Sequence, residues 1–255
     1  MRQKLSCELV GSPENDIILF LHGIGTASWC WWQQVDAFKE NYSILLVDLP
    51  GHGESAHVPW ENMDVTVDLV ADAIPEGKKA HIIGVSLGGH VALDLAVKYP
   101  QKIQSAYISG ITTKPMGPKI FKGLLPLYLR QISKLQNNET KLQDFFIQMG
   151  IPHEKIAASI SEYQKVSINT MRAIFDELYL FKMDCSYSKI SSSIMFVACE
   201  YEKRGIQQTL SYAPTIISQA KTSFIKGARH QWPIQKPEVF NREIKKWMIS
   251  VSNNK

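Results

Sequence analysis

A serine hydroxyl attacks a carbonyl only when its backbone holds it clear of its neighbours and a base takes its proton. The stretch Ala80–Ala92, Ala-His-Ile-Ile-Gly-Val-Ser-Leu-Gly-Gly-His-Val-Ala, has the residue types for the first requirement. It reads as a short buried strand from His81 to Val85, a one-residue corner at Ser86, and a helix starting near Leu87. A strand that reverses directly into a helix strains its corner residue and brings two backbones close together. Side chains flanking the corner would clash there, and Gly84-x-Ser86-x-Gly88 has none. The hydroxyl then projects above the sheet edge, beside the positive end of a helix. A bare G-x-S-x-G arises by chance in roughly one chain of this size in ten. The apolar run before it and the amphipathic Leu93/Val97 helix after it favour a nucleophile over a plain packing turn.

The elements that must position this corner are read from composition and periodicity. A chain of 255 residues suffices for one sizeable core. Its 45% hydrophobic and 20% charged residues are ordinary for a soluble globular protein. The net charge of +4 is mild, and Lys78-Lys79 and Lys245-Lys246 read as solvated faces, so no nucleic-acid partner is expected. No apolar stretch is long enough for a membrane span, and Met1–Cys7 has no apolar region of signal-peptide length. Cys7, Cys30, Cys185 and Cys199 show no C-x-x-C spacing and no histidine partners at metal spacing. Free, mostly buried thiols in a reducing cytoplasm are expected, with no metal and no cofactor.

Leu5–Val10 reads as a short edge strand closed by the turn from Gly11 to Asp16. Ile17–Leu21 and Ile44–Val47 are continuous apolar runs, as expected of strands covered on both faces. Helices are predicted over Ser28–Lys39, over Asp64–Ile74 with a cap near Asn62, and from the corner to Tyr99. Ile103–Ser109 is another strand, so strand and helix alternate as in a parallel, doubly wound α/β sheet. The alternation breaks from Thr112 to about Lys189. Helical patterns there cover Phe121–Lys134, Lys141–Met149, Ile156–Val166 and Asn169–Leu180, with breaks at Gly117-Pro118, Gly150-Ile151-Pro152 and Ser186–Ser193. Strand pattern resumes at Ile194–Ala198 and Thr222–Ile225, and Pro237–Val251 is a C-terminal amphipathic helix. The expected layout is a core of residues 1–111 and 190–255 with a helical insertion at 112–189.

His22-Gly23, Asp48-x-Pro50-Gly51-x-Gly53-x-Ser55, Gly84-x-Ser86-x-Gly88-Gly89 and a late His230 followed by Pro237-Glu238-x-Phe240 together resemble the α/β-hydrolase superfamily. The likeness spans the chain except the insertion, which resembles the helical cap of that family. It implies the α/β-hydrolase fold and a triad in the order serine, acid, histidine. Ser86 would be the nucleophile and His230 the general base. Glu202 falls where the family most often has aspartate, and Glu200, two residues earlier and of the same strand parity, is the competing acid. The oxyanion hole would come from the backbone N–H groups of Ile24 and Leu87. Trp29 and Trp232, close in sequence to the oxyanion turn and to His230, are expected to line an acyl pocket. Two departures stand out: Gln235 replaces a glutamate common in the family, and the N-terminus is about one strand short.

The resemblance implies a carboxylic ester hydrolase acting on a small or medium acyl ester or thioester. A cofactor-free C–C hydrolase, lyase or acyltransferase can use the same triad, since fold does not fix reaction. A non-catalytic ligand-binding protein on this fold is the reading from another class, and the intact Ser86/His230 pair speaks against it.

Overall fold

The computed structural model describes residues 3–114 and 118–253. Met1, Arg2 and Gly117, which entered the sequence reading, lie outside the described residues. Seven strands form one sheet: β1 (Cys7–Val10), β2 (Ile17–Leu21), β3 (Ser43–Val47), β4 (Ala80–Val85), β5 (Ile103–Ser109), β6 (Ser193–Cys199) and β7 (Lys221–Ile225). Their spatial order is β1-β3-β2-β4-β5-β6-β7. Only β1 is antiparallel, pairing Cys7 with Val47 and Val10 with Ile44 at the sheet edge.

Side chains along each strand alternate between two apolar layers, because successive residues point to opposite faces. Ile18 and Phe20 of β2, Ile83 and Val85 of β4, and Tyr107 of β5 face one layer. Ile17, Leu19, Leu21, Ala80, Ile82, Ala106 and Ile108 face the other. The first layer is covered by α1 (Trp32–Phe38) and by the C-terminal helix, whose buried Phe240, Ile244, Trp247, Met248 and Val251 recur at helical spacing. The second is covered by α2 (Met63–Ala73), capped by the Asn62 side chain accepting from Val65 N–H at 2.9 Å, and by α3 (Leu87–Lys98).

Strand order places the functional crevice. The chain runs from β2 outward to β3, then returns across the sheet so that β4 lies on the other side of β2. Ligands of open α/β sheets bind outside the carboxyl ends of the strands at such a reversal. Here that point is flanked by the loop after Leu21 and by Ser86.

Between β5 and β6 stand four helices, α4 (Pro118–Gln136), α5 (Glu139–Gln148), α6 (His153–Lys165) and α7 (Ile168–Leu180). The Glu177 carboxylate of α7 accepts from the Trp60 indole N–H at 3.3 Å and from Met63 N–H at 3.2 Å. This joins the insertion to the start of α2. An exposed Lys165–Glu54 pair at 2.7 Å adds little in water. After β6 come α8 (Arg204–Gln207) and α9 (Thr209–Ile216), and after β7 come α10 (Trp232–Gln235) and α11 (Pro237–Ser252). Of the four thiols, Cys30 and Cys199 are buried whereas Cys7 and Cys185 are exposed, which corrects the expectation of mostly buried thiols. Cys7 faces solvent because its strand is the sheet edge, and Cys185 because it opens the connection into β6. No described helix is long and apolar enough to cross a membrane.

Asp94 of α3 accepts a 2.6 Å hydrogen bond from the Tyr187 hydroxyl, and burial pushes its carboxyl up to about 6 from 3.8. The folded protein therefore holds this proton more tightly than the unfolded chain. Stability should fall as pH rises from about 4 to about 6, by up to about 3 kcal/mol, and stay level above that range. Urea-midpoint measurements across this range should show the slope in the wild type and its loss in Asp94→Asn.

Candidate active site

Ser86 joins β4 to α3 with φ 57° and ψ −116°, the only positive φ outside glycine among the described residues. Its N–H donates to Ser109 O at 2.9 Å, continuing the β4–β5 ladder past the last strand residue. A side chain at Gly84 would strike the Gly88 carbonyl, and one at Gly88 the Leu21 carbonyl. The turn after β2 lies against the corner: a Cβ on Gly23 would sit 3.4 Å from Ser86 Cβ.

That turn is built on buried polar groups. Leu49 N–H donates to His22 Nε2 at 3.0 Å, so the ring proton is on Nδ1, which donates to Gly23 O at 2.9 Å. Both nitrogens are thereby used, and burial lowers the pKa of His22. Asp48 accepts from Ser28 N–H at 2.7 Å and Glu54 N–H at 2.9 Å, tying the loop after β3 to the one after β2. His52, buried and bonded to Pro50 O at 2.9 Å, is pushed down to about 3 and is neutral at any ordinary pH. Burial also takes His90 to about 3.

His230 has a carboxylate partner. Its Nδ1 lies 2.6 Å from Glu202 Oε1, with the imidazole 34% exposed and the carboxylate 1%. Glu202 Oε2 accepts from Cys199 N–H at 2.7 Å, so the carboxylate is held at both oxygens. Glu200, the competing acid, bends away and accepts from Gly227 N–H at 2.7 Å. It braces the turn that leads to His230 and does not contact the ring. Strand parity does not apply to it, because β6 ends at Cys199 and the chain turns at Glu200.

Ser86, His230, Glu202, Gly23 and Ile24 share one cavity of about 940 Å³. The four-helix insertion covers it with Tyr128, Ile132, Leu135, Phe145, Tyr163, Met171 and Phe175. Trp29 and Trp232 lie outside its lining, which corrects the pocket assigned to them. In the 3-10 turn over Ser28–Trp31, Trp29 stacks on Trp32 at 6.2 Å and meets Phe146 of the insertion edge-on at 6.2 Å, while Cys30 and Trp31 line the cavity. Trp232 is fully buried, donates from its indole to Ser109 Oγ at 3.0 Å, and so anchors the segment after His230 to the end of β5. Leu87, the other expected oxyanion donor, is the first residue of α3, where N–H groups have no partner within the helix. Cys30, His90, Lys114 and Lys203 also line the cavity and had no motif to reveal them. Among the described residues no group of three His, Cys, Asp or Glu side chains could hold a metal.

Gly110, at φ +74°, closes the site from below. A Cβ there would lie 2.7 Å from His230 Cε1, 2.9 Å from Nδ1 and 3.0 Å from Glu202 Oε1. Gly110→Ala should therefore part the ring from the carboxylate and cost about 1–3 kcal/mol of stability. Proton NMR checks this: a downfield Nδ1 resonance expected in the wild type should vanish in the variant.

Comparisons with known proteins agree with this architecture. A model of the alpha/beta hydrolase family matches residues 18–243. An AB hydrolase superfamily protein of Gibberella zeae is 24% identical over 246 residues, covering 94% of this chain and 82% of that protein. A pimeloyl-[acyl-carrier protein] methyl ester esterase of Vibrio campbellii is 32% identical over 132 residues, covering 52% of this chain. The match spans 49% of that esterase's own length. The crystal structure of a hydrolase from Pseudomonas aeruginosa superposes with a TM-score of 0.76 at 18% identity, covering 96% of this chain and 94% of that one. The chain belongs to the alpha/beta hydrolase family.

Proposed function

We propose that this chain is a serine hydrolase that cleaves a small or medium acyl ester or thioester through an acyl-enzyme on Ser86. His230 takes the serine proton as Oγ attacks the carbonyl and then gives it to the leaving group. Glu202 holds the ring with Nδ1–H toward itself and stabilises the imidazolium without becoming protonated. The N–H groups of Ile24 and Leu87 receive the oxyanion, and water activated by His230 then releases the acid. The insertion at 112–189 serves as a cap over the core of residues 1–111 and 190–255.

The observation that carries this reading is the 2.6 Å contact of His230 Nδ1 with Glu202 in a cavity that Ser86 also lines. A carboxylate on Nδ1 leaves Nε2 as the free base on that ring. The proximity of the Gly23 turn to Ser86 supports a donor at Ile24. The matching Vibrio protein is named as an ester hydrolase, which favours ester chemistry within the family's range.

Hydrolysis of p-nitrophenyl esters from acetate to decanoate tests the reading. The wild type should peak at one chain length, Ser86→Ala should lose at least about 10³-fold in kcat, and Glu202→Gln about 10²–10⁴-fold. Glu200→Gln should stay within a few-fold, since it loosens a turn and leaves the ring contact intact. Equal rates in wild type and Ser86→Ala would overturn the mechanism. A fluorophosphonate that labels the wild type and not Ser86→Ala separates an enzyme from a non-catalytic binder.

A further inference from the structure

We propose that the cavity recognises an anionic group, a carboxylate or a phosphate, carried by the ester substrate away from the scissile carbonyl, and that Lys114 and Lys203 bind it. This rests on the serine-hydrolase reading and names the substrate class for the same site.

The cavity has two unlike ends. One is apolar, formed by Cys30, Trp31 and Ile234 of the core facing Ile132, Leu135 and Phe145 of the insertion. The other is formed where the chain leaving β5 runs beside α8 and α9, and it carries Lys114, Lys203 and Gln208. Packing brings these segments together. Thr209 Oγ1 donates to Ile111 O at 2.9 Å, and Thr112 Cγ2 lies 3.8 Å from where a Cβ of Gly205 would stand. The two lysines thus line the cavity from adjoining segments, in the same cavity as Ser86 and His230.

The charge at that end is uncompensated. Among the described residues Glu202 is the one carboxylate in the lining, and both its oxygens are engaged, by His230 and by Cys199 N–H. Neither Lys114 nor Lys203 forms an ion pair among the described residues, and Lys114 Nζ lies over the Tyr212 ring at 4.4 Å. Lys39, Lys98, Lys165 and Lys246, by contrast, each take a carboxylate at 2.6–3.0 Å. Two unpaired ammonium groups on a concave surface focus a positive potential into it and favour an anion over an isosteric neutral group. An ester with an apolar body and an anionic end satisfies both ends at once, whichever side of the scissile bond carries the charge.

Two sets of matched esters test this. Octanoyl esters of 4-hydroxybenzoate, 4-hydroxyphenyl phosphate and 4-hydroxybenzamide put a carboxylate, a phosphate or a neutral amide on the leaving group. The p-nitrophenyl monoester of adipic acid against p-nitrophenyl hexanoate puts the charge on the acyl chain. With rates referred to alkaline hydrolysis, at least one anionic ester should exceed its neutral partner about tenfold in kcat/KM. The ratio should fall toward one in Lys114→Met/Lys203→Met, and in the wild type as salt is raised from about 0.02 to about 0.5 M. The better anion identifies the source. Ratios near one in both sets, or a preference that survives the double substitution, would overturn the proposal. Calorimetric binding of the same esters to Ser86→Ala keeps the two readings apart. If the wild type turns over none of them, the hydrolase reading fails, and equal binding of anionic and neutral esters separately refutes anion recognition.

Discussion

The site depends on a single strained residue. At φ 57° and ψ −116°, Ser86 occupies backbone space that costs a non-glycine residue on the order of 1–3 kcal/mol. Such strain persists only when the surroundings over-determine it. Three strand ends do so here. Ser109 O after β4's neighbour accepts from Ser86 N–H at 2.9 Å, and His22 O after β2 accepts from Gly88 N–H at 3.0 Å. Ser86 O in turn accepts from Gly89 N–H at 3.0 Å, starting α3 directly at the corner. Removing the side chains at Gly84 and Gly88 lets β2, β4 and α3 approach closely enough to make these bonds. The corner is thus a consequence of the β2-β4-β5 order as much as of its own five residues.

The same residue types do two separate jobs around it, and access to water divides them. His22 and His52 are fully buried and have lowered pKa values; His22 bonds backbone groups through both ring nitrogens and His52 bonds Pro50 O through Nδ1. His22 acts as a neutral cross-link between the two loops, with Asp48 accepting two N–H groups beside it. His230 keeps a third of its side chain exposed and faces a carboxylate. The buried histidines brace the turns beside Ile24, whereas His230 faces the cavity.

Much of this was legible in the sequence, for identifiable reasons. The buried strands announce themselves because both faces of β2, β3 and β4 are covered, leaving unbroken apolar runs. The corner is legible because its geometry admits only glycine at fixed offsets. Helix α9 is hidden in the sequence because it carries Pro214, which reads as a breaker. Trp29 and Trp232 were misassigned because closeness along the chain says nothing about direction. A 3-10 turn in one case and a hydrogen bond to Ser109 in the other send the rings elsewhere. Lys114 and Lys203 were silent because their meeting depends on how the exit of β5 packs against α8, which no local pattern encodes.

The choice between Glu200 and Glu202 shows how a loop resolves what periodicity leaves open. Alternation counts only while the chain is a strand, and the last strand residue is Cys199. Beyond it the backbone folds over, Glu202 N–H bonding back to Cys199 O at 3.2 Å, and the Glu202 side chain returns to cap Cys199 N–H. This curl absorbs the extra methylene of glutamate and brings the carboxylate to His230 from behind. Glu200 holds Gly227, and Tyr201 N–H holds Ala228 O at 3.0 Å, so the loop grips both the histidine ring and the chain that carries it. Lys203 leaves the same loop one residue later and enters the cavity. Orientation of the proposed base and charge at the cavity's polar end therefore share one support. Under the proposed function, a change in this loop that shifts Lys203 also shifts the support of the imidazole, so that anion recognition and the setting of the base are coupled.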